Sequence, residues 1–363
     1  MTQEDAKYQI NPHVRVIHVT PNEILVKHSA RSFFSKSWTD KGRTGLLGRL
    51  INHMNGQHSL KELHENGVIK PDEYASTLQL VNELVEEHIL IKPEHDLVDV
   101  YLKVIQGAET SLSDKRIGII GCGQAGSRIA KQLAQCGIKY LLLSGDSKVH
   151  NATSLQRFLS IEPGFVTEGA AVADCLAASL KQYDLASIST ITEDSFSKEN
   201  IRAVFEQCDL VVAALDEYMQ SILHTINQQA LEAEKPWALT VFDGSEGIAG
   251  PIFVPGDTCC FNEFELQGVA AAGSLKRDVI TYYDAVNATG QPDLGFAPSP
   301  YIDVVTGQLT SGLLNYLTTG RSFLVSRAIR TDFERMSVDY EDIKRIPRCS
   351  ACTPFRPFRN VFL

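Results

Sequence analysis

The amino-acid sequence predicts an α/β protein in two parts: a large domain on a parallel-rich sheet, preceded by a small winged-helix-like domain. Three observations point there. From residue 116 onward, apolar strand patterns alternate with helical ones at the spacing of a parallel sheet covered on both faces. A glycine-rich turn, Gly121-Cys122-Gly123-Gln124-Ala125-Gly126, follows the first of these strands and opens the first helix. Residues 1–93 follow a different order, with short β-branched runs, helical periodicities and a closing apolar run.

Residues 14–19 and 23–27 are apolar and β-branched, and Pro21-Asn22 between them is a turn signal, so a β-hairpin is expected. Residues 43–54 place Leu46, Leu47, Leu50, Ile51 and Met54 on one helical face. Ser59 caps a short helix carrying Leu60 and Leu63. Residues 71–88 start with Pro71 in a first helical turn and carry Leu78, Val81, Leu84 and Val85. His88–Ile91 reads as a closing strand, and residues 94–113 as a connector. Strands are then expected at 116–120, 140–143, 187–192, 210–214, 237–242 and 250–254. Helices are expected at 127–136, 170–180, 197–207 and 218–233.

Composition narrows the function. The 363 residues are 44% hydrophobic and 21% charged, as in ordinary globular proteins. A net charge of -10 argues against a general nucleic-acid binder, which carries a basic stripe. No apolar run is long enough to span a bilayer, and the polar, acidic N-terminus is not a secretory signal, so a cytoplasmic location is expected with neither membrane nor nucleic acid as partner. Eight cysteines in such a chain do not form a disulfide scaffold. Cys122, Cys136, Cys175, Cys208 and Cys259 read on spacing alone as small buried hydrophobes.

The glycine turn lets the backbone approach a phosphate, while the helix behind it offers free N–H groups and a positive dipole end. Alone it does not separate NAD, FAD and ATP. Asp146, just past the next strand, stands where an acid bonds a ribose hydroxyl. It is followed by Ser154-Leu155-Gln156-Arg157-Phe158-Leu159. A later strand reads Asp209-Leu210-Val211-Val212-Ala213-Ala214-Leu215-Asp216, and Asp216 could cap the helix expected over 218–233. Gly250-Pro251-Ile252-Phe253-Val254-Pro255-Gly256-Asp257-Thr258 leads to Cys259 and Cys260, and Cys349-Ser350-Ala351-Cys352 comes far downstream.

In this order and spacing the segments resemble the ThiF/MoeB/ubiquitin-E1 adenylating superfamily over roughly residues 100–355, nearest to the branch that matures ribosomally made peptides. The resemblance implies a Rossmann-like nucleotide-binding domain over residues 114–363 with a C-terminal zinc motif. It also implies a PqqD/RRE-like peptide clamp over residues 1–93. ATP would lie against Gly121, Gly123, Gln124, Ala125 and Gly126, with Asp146, Ser154 and Arg157 completing the nucleotide site. Asp216 matches the family's Mg²⁺-holding aspartate, and Arg157 its phosphate-contacting arginine. Cys260, Cys349 and Cys352 match three zinc ligands, and the fourth is Glu263 or Cys259.

The sequence also departs from the family. Ser154 replaces an asparagine, and Lys148 replaces a second aspartate. The family's catalytic lysine is missing from Val166-Thr167-Glu168-Gly169-Ala170-Ala171, which leaves Lys148 as the candidate cation. The arginine pair of the preceding helix is missing too, since residues 98–105 offer only Lys103. Where the family has a first Cys-x-x-Cys, Cys260 is followed by Glu263.

These features lead us to expect ATP-dependent activation of a peptide carboxylate, then attack within the peptide or nucleotide transfer, in peptide antibiotic biosynthesis. The expected partners are a ribosomally made precursor peptide and a second copy of the chain, the latter suggested by an apolar stretch at Leu309–Leu317. Lys27, Arg31, Lys36, Lys41 and Arg43 cluster near the hairpin and suit an acidic leader. The alternatives are a non-catalytic peptide-presenting partner of another maturase, a sulfur-carrier-protein adenylyltransferase and a nicotinamide oxidoreductase.

Overall fold

The computed structural model describes residues 5–150, 158–216, 218–289 and 297–353. The chain divides into two compact units, residues 1–109 and 110–363.

The first unit holds two small antiparallel sheets. In one, β1 (Lys7–Ile10) lies between β5 (Asn55–Ser59) and β6 (Leu90–Ile91). In the other, β3 (Glu23–Lys27) lies between β2 (Arg15–Thr20) and β4 (Ser35–Thr39). The helices are α1 (Leu46–His53), α2 (Leu60–Glu65), α3 (Tyr74–Glu86) and α4 (Leu97–Gln106). Ile24 and Val26 of β3 share one core with Leu47, Leu50, Leu60, Leu63, Val81 and Leu84. The Ser59 cap forms a reciprocal pair with Glu62: Glu62 N donates to Ser59 Oγ at 3.2 Å, and Ser59 N to Glu62 Oε2 at 2.9 Å. Such a box is worth about 1 kcal/mol.

The expected connector at 94–113 needs correction. Asp96 accepts from Val98 N and Asp99 N and starts α4, Gly107 at φ 71° ends it, and residues up to 109 belong to the first unit. The expected hairpin β2–β3 gains a third strand. Ser35, Ser37 and Thr39 of β4 are exposed and Lys36 and Trp38 half-buried, an alternation whose inner positions are too polar to read as a strand.

The second unit is built on an eight-stranded sheet in the order β14-β13-β12-β11-β10-β7-β8-β9. Strands β7 (Arg116–Ile120), β8 (Tyr140–Ser144), β9 (Ser187–Ile191), β10 (Leu210–Ala214) and β11 (Trp237–Asp243) run parallel. Strands β12 (Glu246–Phe253), β13 (Arg327–Asp332) and β14 (Ser337–Asp342) extend it antiparallel. The helices of this unit are α5 (Gln124–Gln135), α6 (Val172–Leu180), α7 (Lys198–Gln207), α8 (Gln220–Ala233), α9 (Phe261–Ala271), α10 (Lys276–Thr289) and α11 (Ser299–Thr319). Every residue of β10 is buried, which explains its unbroken apolar run in place of alternation.

The apolar stretch at Leu309–Leu317 turns out to be core. Leu309, Leu313 and Leu317 on α11 are buried within the chain and leave no stripe there for a partner copy. No described helix is long and apolar enough to cross a membrane.

Candidate functional site

The glycine turn joins β7 to α5 at the carboxyl edge of the parallel sheet, where ligands of open α/β sheets bind. Gly121 N donates to Ser144 O at 2.8 Å, which ties the turn to the end of β8. Gly121 has φ 94°, and a Cβ there would lie 2.3 Å from Ala214 O at the end of β10. Asp146 follows β8 and Asp216 follows β10, the two strands flanking β7, so three of the expected elements meet along one edge. Asp146 is exposed.

Asp216 reaches into the turn itself. Gln124 N donates to its Oδ2 at 2.8 Å, and Ala125 N to its Oδ1 at 3.4 Å. A Cβ on Gly123 would stand 1.8 Å from Oδ2, so glycine at 123 is required by this carboxylate. The aspartate thus occupies part of the N–H cradle expected to hold phosphate. Desolvation pushes its carboxyl above the usual carboxylate range, against the pull of the two N–H groups and the Arg128 charge. The expectation that Asp216 caps the helix after it fails: the N-cap of α8 is Met219, with no side-chain bond, and the end that Asp216 serves is that of α5.

Lys148 is exposed and forms an antiparallel bridge with Ala171. Val149 N donates to Ala170 O at 2.9 Å and Gly169 N to Val149 O at 2.8 Å, so the lysine stands beside the stretch that lacks one. Ser154 and Arg157 lie outside the described residues. The thiol of Cys122, inside the turn, is pushed up to about 12 by burial and by nearby Asp216 and Asp174, so it stays neutral and is no nucleophile.

One buried cation at this site was not anticipated. Arg128, on α5, donates from Nε to Asp303 Oδ1 at 2.6 Å and from Nη2 to Ser299 Oγ at 2.6 Å. Its Nη1 donates to Gln124 O at 3.0 Å and to Phe158 O at 2.6 Å. It therefore joins the glycine turn, α11 and the first described residue after Arg157. The only sequence signal was an arginine one turn past the glycines, which reads equally well as a solvated helix residue. A cavity of about 160 Å³ lined by Arg116, Tyr140, Ser187 and Gln207 opens at the amino ends of the strands, the opposite edge from the glycine turn.

The second group is at the start of α9. Ligand atoms of Cys260, Glu263, Cys349 and Cys352 all lie within 4.8 Å of one another. Cys260 Sγ and Cys349 Sγ are 3.7 Å apart, and Asn262 Nδ2 donates to Cys349 Sγ at 3.3 Å. Of the two candidates for the fourth position, Glu263 is in the group, while Cys259 is held by Ser326. Glu263 is fully buried: Oε2 accepts from Cys260 N at 2.8 Å and Oε1 from Ile346 N at 2.6 Å. Three thiols and one carboxylate, drawn together within 4.8 Å with three of the four residues buried, fit a four-coordinate zinc ion.

No curated protein matches the chain. Among solved structures, E. coli MccB with ATP shares 17% identity at a TM-score of 0.60, over 95% of this chain and 99% of that one. The microcin C7 biosynthetic enzyme MccB in complex with N-formylated MccA shares 16% at 0.61, over the same shares. The heterocyclase TruD shares 18% at 0.57, over 95% of this chain and 42% of that one. At these identities the likeness is one of fold. The ThiF family model matches residues 101–351, well over half of the sequence, and so the protein belongs to the ThiF family and is an ATP-dependent adenylating enzyme.

Proposed function

We propose that this enzyme activates a carboxylate of a ribosomally made precursor peptide, as a step in peptide antibiotic biosynthesis. The observation that carries this reading is the meeting of the glycine turn, Asp146 and Asp216 on the adjacent strand ends of β7, β8 and β10. In this reading the nucleotide lies on Gly121, Gly123, Gln124, Ala125 and Gly126, its ribose on Asp146, with Ser154 and Arg157 along its phosphates. The peptide carboxylate attacks the α-phosphate and pyrophosphate leaves; a nucleophile of the same peptide, or a second nucleotide, then displaces AMP from the mixed anhydride. Asp216 would hold Mg²⁺, which would supply charge neutralisation at the phosphates. Arg157 and Lys148 add positive charge there, and the bridge of Lys148 to Ala171 supports its standing in for the family lysine.

The peptide reading is supported by the structures of MccB with MccA and by the first unit itself. β2 and β4 are the edges of their sheet, and Lys36 of β4 pairs with Glu87 at the end of α3. An extended leader would add beside β4, next to α3, by main-chain hydrogen bonds. Lys27, Arg31, Lys41 and Arg43 favour an acidic one. Zinc at the Cys260, Glu263, Cys349 and Cys352 cluster is structural in this reading, and the chain is a homodimer through faces other than Leu309–Leu317.

The test is exchange of labelled pyrophosphate into ATP in the presence and absence of a candidate precursor peptide. Exchange that needs the peptide and is lost in Asp216→Asn and Arg157→Ala is expected. Peptide binding without any exchange would replace this reading with that of a non-catalytic presenting partner.

A further inference from the structure

A polar cluster lies one turn beyond Asp216, outside the nucleotide machinery. Its centre is Glu265 on α9, whose side chain is only 10% exposed. Glu265 Oε1 accepts from Tyr218 Oη at 2.7 Å and from Gln220 Nε2 at 2.8 Å. Its Oε2 is 2.6 Å from His224 Nε2, on the next turn of α8. The Tyr218 ring stacks on Tyr283 of α10, centroids 5.2 Å apart at 29°. Burial and the Glu265 charge push the Tyr218 phenol far above its ordinary range, so it stays a donor.

A nearly buried carboxylate needs this many partners, because an unpaired one costs several kcal/mol. The partners themselves are telling. Tyr218 lies two residues after Asp216, and Gln220 is the first residue of α8. The Met219 N-cap of α8 makes no side-chain cap bond. The side chains of Tyr218 and Gln220 are instead fastened to one carboxylate oxygen on another helix. α9 is in turn anchored at its first residues by Cys260 and Glu263. Among the described residues, Asp216 meets the glycine turn through two backbone N–H groups, the weaker contact at 3.4 Å, so its placement depends on where the start of α8 behind it is held.

We propose that Glu265 is a positioning residue for Asp216: by gripping Tyr218 and Gln220 it fixes the start of α8, from which the Asp216 carboxylate is presented to the metal and the nucleotide. This rests on the reading of Asp216 as the metal-holding aspartate. The same bonds account for His224, whose side chain is 40% exposed yet fixed on Glu265 Oε2, and for the placing of Tyr283 against Tyr218.

The experiment is Mn²⁺ binding to the full-length protein saturated with a non-hydrolysable ATP analogue, read from the free Mn²⁺ resonance, with melting temperatures in parallel. Glu265→Ala is expected to weaken Mn²⁺ by about tenfold or more, the usual cost of losing a group that orients a ligand. Glu265→Gln keeps an acceptor for Tyr218 and Gln220 and should stay within about threefold, and Tyr218→Phe should fall between the two. On an Asp216→Asn background Glu265→Gln and Tyr218→Phe should have no further effect. Were Glu265→Ala to fail to fold, Tyr218→Phe still decides the matter, since unchanged Mn²⁺ affinity in that variant overturns the positioning role. Mn²⁺ affinity that depends on Asp216 but ignores both Glu265→Ala and Tyr218→Phe, whatever happens to the melting temperature, overturns the positioning role alone. Affinity that survives Asp216→Asn overturns the functional reading and this one with it.

Discussion

Asp216 and Glu263 both accept backbone N–H bonds at the start of a helix, but they do so in opposite circumstances. Asp216 reaches α5 from the far side of the sequence, keeps partial exposure, and feels the Arg128 charge. Glu263 bonds the N-cap of its own helix and Ile346, is fully buried, and sits among three thiols. The first is a carboxylate whose charged form is disfavoured where it stands and which has room to change partners. The second is closed on every side, so anything it holds becomes part of the fold. A catalytic metal needs the former arrangement and a structural one the latter.

The largest effect should come from Asp216→Asn, which keeps an acceptor for Gln124 N but removes the charge. Pyrophosphate exchange should fall by about 100-fold or more. Stability should move the other way. The folded-state pKa of Asp216 is raised, so the folded chain binds more protons than the unfolded one between the ordinary and the raised value, and stability falls as pH rises through that window. At neutral pH the asparagine variant should therefore melt no lower than wild type. Any advantage should vanish once pH drops below the ordinary carboxylate range. Melting curves from acid to neutral pH would break the comparison if the variant were destabilised throughout.

Next, purified protein should contain close to one zinc per chain. Cys349→Ser and Cys352→Ser should each lose the zinc and melt roughly 10 °C lower, because a structural metal contributes folding free energy directly. Metal analysis and calorimetry check this; stable, metal-free protein would make the cluster four buried polar groups and nothing more. Lys148→Ala should cut turnover about tenfold while leaving the melting temperature within about 1 °C, as its side chain is exposed. Wild-type kinetics in that variant would leave the vacated lysine position without a substitute. The smallest effect is expected for Asn262→Ala, which loses the donor to Cys349 Sγ. It should weaken zinc about tenfold in a chelator competition, with little change in melting temperature.

Much of this was legible beforehand because it rests on local patterns. The strand 116–120 was read to the residue, since an apolar run before a glycine turn has few other uses. Ser59 caps the short helix as its place before Leu60 announces. The polar strands were not legible: Asn55–Ser59 and Ser35–Thr39 are strands only because β1 and β3 offer them unpaired backbone. α4 carried its own stop and start signals in Asp96 and Gly107, which the neighbouring polar residues obscured. The leucines of α11 show the reverse failing, for an apolar stripe looks the same whether it faces a partner or the chain's own sheet.

By itself the sequence determined the doubly covered sheet, the glycine turn, the acids beyond the strand ends and the cysteines of the cluster. Each is a matter of periodicity, of backbone that only glycine permits, or of side-chain chemistry. Tertiary structure alone decided which groups meet. Glu263 rather than Cys259 joins the thiols, Asp216 serves α5 rather than α8, and Lys148 stands beside residue 171. These are contacts between positions far apart along the chain, and whether two such side chains touch depends on how strands and helices pack, which no local pattern encodes.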